Sequence, residues 1–277
     1  IVESISNKLY TTSDFTFNGN AEVKGTNAGT YNMNLSPSDF TNTNTSNFPN
    51  VTFVVEDGQL VIQKRNVTLT SGSDSKAYDG TALKKETVEV TGDGFAENEG
   101  ADYSNFASRT EVGETKNTFT YTLKSNTSKD NYEISVEEGK LTITATADEV
   151  VVTIKENSNT VTYDGTEKIV TGYTVQSISS TLYTEEDFTF SGNAKVKGTN
   201  AGSYDMELNP ADFQNKNQNF TKVTFVIVDG KLTIEKRKVT LTSASASKDY
   251  DGTPLTAKNV TVSGDGFANG EGATYDV

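Results

Sequence analysis

Apolar and polar residues alternate in most of the periodic segments of the chain. In the stretch 229–253 the apolar positions lie two residues apart, as at Leu232 and Ile234. Strict alternation is typical of strands with one buried face, because successive side chains of a strand point to opposite faces. The dipeptide Asp229-Gly230 directly before this segment predicts a two-residue hairpin turn with positive φ.

The same period of two predicts strands throughout the chain, and β-branched and aromatic residues dominate these segments. Gly, Asn, Asp and Ser fill the intervals. We therefore predict an all-β fold, and the strand count is compatible with a small β-sandwich and with a β-grasp-like arrangement. A capping residue followed by proline predicts one short helical turn at Pro37 and another at Pro210. The predicted strands are 67–69, 88–90, 119–123, 134–136, 141–143, 150–154, 188–190, 204–208, 223–228 and 232–234.

Long internal repeats divide the chain into modules. The motif Tyr-Asp-Gly-Thr begins at Tyr78, Tyr163 and Tyr250, and residues 1–65 match 174–237 almost residue for residue. Such self-similarity is the signature of a repeat array. We predict four modules, the two types being distant copies of one fold: a partial type A module at 1–65, a complete type B module at 66–145, a complete type A module at 146–237 and a partial type B module at 238–277.

The connections between modules are short. Around residues 235–238 the alternation continues without a Gly-, Pro- or Ser-rich spacer, which predicts modules arranged end to end as an elongated rod, with neighbouring repeats as their partners. The type A to type B connections are basic, at Lys64-Arg65 and at 236–238. Solvated charge is the favoured interpretation, because exposed ion pairs contribute only about 0–1 kcal/mol, and pairing with carboxylates of the next module is the alternative. We also expect the chain to be an excerpt of a longer protein.

Composition excludes several classes of function. The chain has no His, Cys or Trp and a net charge of −14. Such an acidic protein is a poor ligand for nucleic acid or an anionic membrane, and we expect no insertion into a bilayer. Without His or Cys the common catalytic bases and nucleophiles are missing, so we expect no enzymatic activity and no cofactor.

Three motifs recur along the chain. They are Lys-x-Tyr-Asp-Gly-Thr at 76–81 and 248–253, Gly-Thr-x-Ala-Gly-x-Tyr at 198–204, and a closing Asp-Gly-x-Leu-x-Ile. Together they resemble the MBG and YDG-type repeats of large bacterial surface proteins. The copy at Tyr163 departs from the pattern because it lacks the lysine. The resemblance implies tandem all-β modules of an extracellular adhesin at the bacterial cell surface, which project a binding domain from the cell wall.

The recurring tyrosines and aspartates have a structural interpretation. Asp before Gly is typical of a turn, and a tyrosine at the end of a strand is typical of a half-buried core residue, although a sugar could also stack on it. We interpret the three copies as structural turns. Their residues are Tyr78, Asp79 and Gly80, then Tyr163, Asp164 and Gly165, then Tyr250, Asp251 and Gly252.

One acidic loop is a candidate calcium site. Calcium takes six to eight oxygen ligands, and the loop 93–102 offers the carboxylates of Asp93, Glu97, Glu99 and Asp102. The copy at 265–274 replaces two of the four, which favours a solvated loop. An isopeptide bond between a buried lysine and an Asn or Asp is a further alternative.

Two functions remain open. The first is a stalk whose stiff modules extend an adhesive tip, and its mechanism is geometric. The second is a multivalent module in which each copy binds a host glycan or protein. The absence of Trp favours the stalk.

Overall fold

A computed structural model describes residues 1–276, and these residues separate into two compact units. The first unit contains Ile1–Lys76 and Ala82–Ile143. The second contains Ala77–Thr81 and residues 144–276. The predicted boundary between the second and third modules, at 145/146, lies close to this division, but the short segment Ala77–Thr81 folds with the second unit.

The first unit is built from fourteen strands, except that Ala77 and Thr144, the last residues of two strands, lie in the second unit. Most of the strands contain only two to five residues. The strands are β1 Phe15–Phe17, β2 Gly29–Asn32, β3 Phe40–Asn42, β4 Gln59–Ile62, β5 Arg65–Ser71, β6 Asp74–Ala77, β7 Leu83–Lys84, β8 Val88–Gly92, β9 Ala101–Ser104, β10 Ser108–Arg109, β11 Gly113–Lys116, β12 Thr120–Leu123, β13 Tyr132–Glu137 and β14 Lys140–Thr144.

The second unit contains the remaining strands, of which the first is the longest. No helix among residues 1–276 is long and apolar enough to cross a membrane. The strands are β15 Thr146–Glu156, β16 Asn159–Thr162, β17 Lys168–Thr171, β18 Tyr173–Ile178, β19 Phe188–Phe190, β20 Lys195–Gly198, β21 Gly202–Asp205, β22 Phe213–Asn215, β23 Phe220–Val228, β24 Lys231–Glu235, β25 Val239–Ser243 and β26 Val260–Gly264.

Strand β15 organises residues 146–237. It pairs in parallel with β23 and antiparallel with β18. Alternate residues of β15 are buried, among them Val152 and Ile154 at 0% exposure. A second sheet places β24 between β16 and β21, and Leu232 of β24 joins the same hydrophobic core. One core thus lies between two mixed sheets, in agreement with the sandwich alternative, and the all-β prediction is confirmed.

The type B module repeats this pairing scheme. Strand β5 pairs in parallel with β13 and antiparallel with β8, and β14 lies between β11 and β6. The core is smaller, with Val67, Leu69 and Tyr132 as its buried members. The two repeat types therefore share one topology, as their distant sequence similarity predicts.

The predicted hairpin at Asp229-Gly230 is wrong. Strand β23 pairs with β15, whereas β24 pairs with β16 and β21, so the dipeptide carries the chain from one sheet to the other. Gly230 does not have positive φ. A methyl group on Gly230 would lie 2.5 Å from the carbonyl oxygen of Asn157. Glycine is needed here because two backbone segments approach closely.

Short 3₁₀ turns connect several strands. The two that the sequence predicts lie at Pro37–Asp39 and Pro210–Asp212, where a carboxylate accepts from the backbone of the capping residue. Three others lie at Thr12–Asp14, Lys129–Asn131 and Glu185–Asp187. The first and third of these follow a threonine with an aspartate three residues later, which is a capping-box pattern that the sequence already contains.

Candidate functional site: the Tyr-Asp-Gly-Thr turns

The three Tyr-Asp-Gly-Thr copies have nearly the same backbone structure. In each, the aspartate Oδ1 accepts a hydrogen bond from the threonine N–H at 2.9 Å. The glycine between them lies in the left-handed region, with φ of 77°, 83° and 72° along the chain. This is an Asx turn, in which the carboxylate replaces a backbone acceptor and the glycine tolerates positive φ.

A lysine binds the turn aspartate in type A as well as in type B. Lys248 Nζ lies 2.6 Å from Asp251 Oδ1. The type A copy has Val161 at the corresponding position, but Lys168 approaches Asp164 from the other side of the turn. The hydrogen bond from Lys168 is the main reason that the pKa of Asp164 lies below its ordinary value. The missing lysine of type A is therefore replaced in space, not at the same sequence position.

The first turn belongs to the core of the second unit. The Tyr78 ring packs edge-on against Phe220, with centroids 5.5 Å apart. The Tyr78 N–H donates to the carbonyl oxygen of Thr144 at 2.8 Å. Leu182 covers Gly80, since a methyl group on this glycine would lie 2.6 Å from Leu182 Cδ2. An aromatic contact, an aliphatic contact and a backbone hydrogen bond thus hold this turn in place.

The second turn is held by contacts with Arg237, at the end of the same repeat, and with residues of the following repeat. The Tyr163 hydroxyl donates to Glu271, and this hydrogen bond is the main cause that raises the pKa of Tyr163. Arg237 Nη1 donates to the Tyr163 carbonyl oxygen at 3.1 Å. Ala268 lies near Gly165, 3.8 Å from where a methyl group on this glycine would be.

The third turn is exposed. Tyr250 is 98% exposed, whereas Tyr78 and Tyr163 are half-buried and pack against the core of residues 146–237. The expectation of a half-buried core tyrosine thus fits the first two copies and not Tyr250. The turn keeps its internal geometry in all three copies, so the backbone conformation does not require that the tyrosine be packed.

Among residues 1–276, the arginines of the basic connections bind backbone carbonyl oxygens and do not form ion pairs with carboxylates. Arg65 Nε donates to the carbonyl oxygen of Gly94 at 2.9 Å, and Arg237 Nε donates to that of Gly266 at 2.7 Å. The carboxylate of Asp93 instead accepts from the N–H of Asn66. The guanidinium groups therefore bind a backbone turn of the next repeat, because five fixed donors suit several carbonyl oxygens at once.

A cleft of about 260 Å³ lies beside the second turn, lined by Tyr163, Asn200, Ala201, Arg237 and Glu271, among others. Asn27 and Ala28 occupy the positions of Asn200 and Ala201 in the first unit.

In the first unit, Asn131 lies against Asn27 and Ala28, where the second unit has the cleft. Its Oδ1 accepts from the Ala28 N–H at 2.8 Å, and its Nδ2 donates to Asn27 Oδ1 at 3.1 Å. This comparison indicates that the cleft is a surface where consecutive repeats meet.

The four candidate calcium ligands are not brought together. Asp93, Glu97 and Asp102 are exposed, and the Glu99 carboxylate accepts from the Tyr132 hydroxyl. Among residues 1–276, no group of three or more acidic side chains is arranged to hold a metal ion. The same part of the chain contains no buried lysine of the kind that an isopeptide bond requires.

Glu156, the last residue of β15, is a buried carboxylate that was not predicted from the sequence. This side chain is 1% exposed, and its two carboxylate oxygens accept from the N–H groups of Leu208 and Gly230, both at 2.6 Å. In residues 1–65 the carboxylate of Asp57 accepts from Leu35, the counterpart of Leu208. The alternation of β15 could have identified Glu156 as buried, because it places this residue on the same face as Val152 and Ile154.

Replacing Gly80 by alanine is expected to destabilise the second unit more than the same change at Gly252. Both glycines have positive φ, so alanine costs about 1–2 kcal/mol of backbone strain at either position. Only Gly80 also has Leu182 above it, whereas nothing lies within 4 Å of a methyl group on Gly252. Displacing Leu182 adds roughly 1–3 kcal/mol. Urea denaturation followed by tyrosine fluorescence measures the difference, and equal losses for the two variants would contradict the packing of this turn.

Comparison with known protein families gives a match for one of the repeats. Residues 150–236 match the MBG domain, nearly the span of the type A module predicted at 146–237. No curated protein and no solved structure matches the chain significantly. The matched segment contains most of β15, the Tyr163 turn and β24, which are elements that build the core and the turn described above. The match of residues 150–236 to the MBG domain confirms the resemblance that the repeats show to MBG-type repeats.

Proposed function

We propose that the chain is a segment of a stalk at the surface of a bacterial cell, in which each Tyr-Asp-Gly-Thr turn fixes a junction between repeats. The observation that carries this proposal is the placement of Ala77–Thr81. In sequence this segment belongs to the type B repeat, yet it folds with the second unit, where Tyr78 packs against Phe220. A stalk needs junctions that resist bending, and a shared core supplies such resistance.

The connections between the sheets support this function. Two residues separate β4 from β5, and three separate β24 from β25. Ala145 alone separates β14 from β15. Linkers of this length cannot act as flexible coils, because a coil gains reach and freedom only with many residues.

The two kinds of turn use different chemistry, which supports a fixed order of repeats. The type B turn at Tyr78 meets Phe220 and Leu182, which are apolar. The type A turn at Tyr163 meets Glu271 and Arg237, which are charged. A turn placed against the other kind of neighbour would leave charged groups facing apolar ones, which is costly. An alternating order of type A and type B repeats would therefore place each turn against a neighbour of matching chemistry.

The surface location rests on composition and family. The chain contains no cysteine and carries a net charge of −14, which suits a self-repelling, extended protein outside the cell. The MBG domain is a repeat family of surface proteins, which makes a structural role more consistent than catalysis.

The alternative is multivalent binding of a host glycan or protein. The cleft beside Tyr163 favours it, since an aromatic ring together with Arg237 and Glu271 offers the contacts that a sugar uses. The stalk accounts better for the same cleft, because Asn131 fills the corresponding position in the first unit. Titration of the chain with a glycan library separates the two functions.

Solution X-ray scattering of the full chain tests the stalk. We expect an asymmetric distribution of interatomic distances whose maximum is close to the summed length of the repeats. We expect millimolar calcium to leave it unchanged, because no group of acidic side chains among residues 1–276 is arranged to hold a metal ion. A shorter maximum dimension, or one that increases only when calcium is added, would contradict the stiff stalk and favour a jointed or metal-dependent array.

A further inference from the structure

We propose that the first and last segments of the repeats at 66–145 and 146–237 form a mechanical clamp, which lets each repeat carry tension without unfolding. In the type A repeat the clamp consists of residues 146–162 and 220–235, which lie side by side. The inference goes beyond the proposed stalk. Resistance to bending is a property of the junctions, whereas resistance to tension is a property of the strands within one repeat.

The first and last segments of the type A repeat run parallel in both sheets. In the first sheet β15 pairs in parallel with β23, and Lys155 lies opposite Val228. In the second sheet β16 pairs in parallel with β24, and Asn159 lies opposite Leu232. Both pairs are 73 positions apart. The two segments therefore stay in register as they pass from one sheet to the other.

The last segment keeps its direction where it passes between the sheets. Val228 is the last residue of β23, and the carbonyl oxygen of Gly230 already accepts from the Met206 N–H in the second sheet, at 3.3 Å. Only Asp229 separates the two ladders of hydrogen bonds, whereas a tight reversal of the chain takes two central residues. Neither Asp229 nor Gly230 has positive φ. The crossing is therefore a kink in an extended segment.

Side chains hold the two segments together where the backbone pairing is interrupted. The Glu156 carboxylate accepts from the Gly230 N–H at 2.6 Å. The Ser158 hydroxyl accepts from the Lys231 N–H at 3.1 Å. Both contacts lie between the last pair of the first sheet and the first pair of the second. The clamp is therefore linked from one end of the repeat to the other.

The type B repeat has the same arrangement with different side chains. Strand β5 pairs in parallel with β13 in the first sheet. At the crossing the Ser71 hydroxyl accepts from the Gly139 N–H, and the Ser73 hydroxyl accepts from the Lys140 N–H, both at 2.9 Å. Serine thus replaces Glu156 as the bridge. Two repeats of different sequence share the clamp, which indicates that it belongs to the fold.

The direction of the strands decides how tension acts on the repeat. The chain enters at Thr146 and leaves after Glu235, and parallel segments that keep their direction place these residues at opposite ends of the clamp. Tension therefore pulls the two segments past one another along their own axes. The evenly spaced hydrogen bonds of the parallel pairs share this load and must break together, which gives a high barrier to forced unfolding.

Force spectroscopy on single molecules tests the clamp by changing only the direction of pulling. The chain has no cysteine, so pairs of cysteines at exposed positions define where the handles attach. Asp148→Cys with Lys236→Cys loads the clamp along its strands. Asp148→Cys with Gln218→Cys peels the adjacent ends of β15 and β23 apart, so that the hydrogen bonds break one after another. At equal loading rate we expect the force along the strands to be at least about two-fold higher, because the unfolding barrier governs forced unfolding.

A substitution at the crossing tests whether the bridge carries part of the load. Glu156→Ala removes the contact with Gly230 and is expected to lower the unfolding force along the strands. The peeling force should stay nearly unchanged, because peeling begins at the other end of β15, where Thr146 lies beside Phe220. A general loss of stability would lower both forces. The matched control is Glu149→Ala on the same strand, which we expect to leave the force along the strands unchanged.

The outcomes separate the clamp from the stalk. Equal unfolding forces in the two directions would overturn the clamp, while the stalk, which the scattering experiment tests, would stand. A higher force along the strands together with the scattering of a jointed array would support the clamp and remove the stalk. The comparison of directions does not need Glu156→Ala, so it decides the question even if that variant fails to fold.

Discussion

Replacing Glu156 by alanine is expected to lower the free energy of unfolding of the second unit by roughly 2–5 kcal/mol. The carboxylate is buried and accepts from the N–H groups of Leu208 and Gly230. Alanine would leave both buried donors without a partner, and each such loss costs about 1–3 kcal/mol. Urea denaturation of the full chain, with hydrogen exchange to assign the loss to residues 144–276, measures this change.

Glu149 provides the matched control on the same strand. Its carboxylate pairs with Lys222 at 3.0 Å, but its side chain is 41% exposed. Exposed ion pairs contribute about 0–1 kcal/mol, so Glu149→Ala is expected to have little effect. Similar losses for the two variants would show that Glu156 does not hold the two backbone segments together.

The change Gly230→Ala is expected to destabilise the second unit by about 3 kcal/mol, at the upper end of the cost of overpacking. The added methyl group would lie 2.5 Å from the carbonyl oxygen of Asn157 and 2.6 Å from Glu156 Cβ. Backbone at that position cannot move aside without separating β15 from β24. Thermal unfolding followed by circular dichroism, together with hydrogen exchange in β24, measures the effect.

The control for this prediction is its counterpart in the first repeat. Gly58 occupies the same Asp-Gly dipeptide, but a methyl group there would meet only Met33 Cε, at 3.8 Å, which is ordinary contact. We expect Gly58→Ala to be nearly neutral. If both alanine variants were neutral, the close approach at Gly230 would be wrong.

Much of the fold could be predicted from the sequence. Alternation identified β15, β23 and β24, because a strand with one buried face keeps its period of two whatever it pairs with. The pairing partners of these strands could not be predicted from the alternation. The hairpin interpretation of Asp229-Gly230 was wrong because local turn chemistry does not reveal that both flanking strands have partners more than twenty residues away.

The candidate site could be predicted only in part from the sequence. The repeated Tyr-Asp-Gly-Thr motif marked the turns, and Asp with Gly explains their geometry from local chemistry. The packing of Tyr78 against Phe220 joins residues 142 positions apart, and no periodicity reports such a contact. Glu156 was not predicted for a different reason. A carboxylate on the buried face of a strand interrupts the apolar pattern, and alternation does not show which two N–H groups it accepts from.

Hydrogen exchange of the unmodified chain is the most direct test of the packing of the first turn, because it compares two copies of one motif in one protein. We expect the Tyr78 amide, which donates to Thr144, to exchange as slowly as the amides of β15. The segment 249–253, with Tyr250 exposed, should exchange orders of magnitude faster. Equally fast exchange in both segments would show that the first turn is not part of the folded second unit.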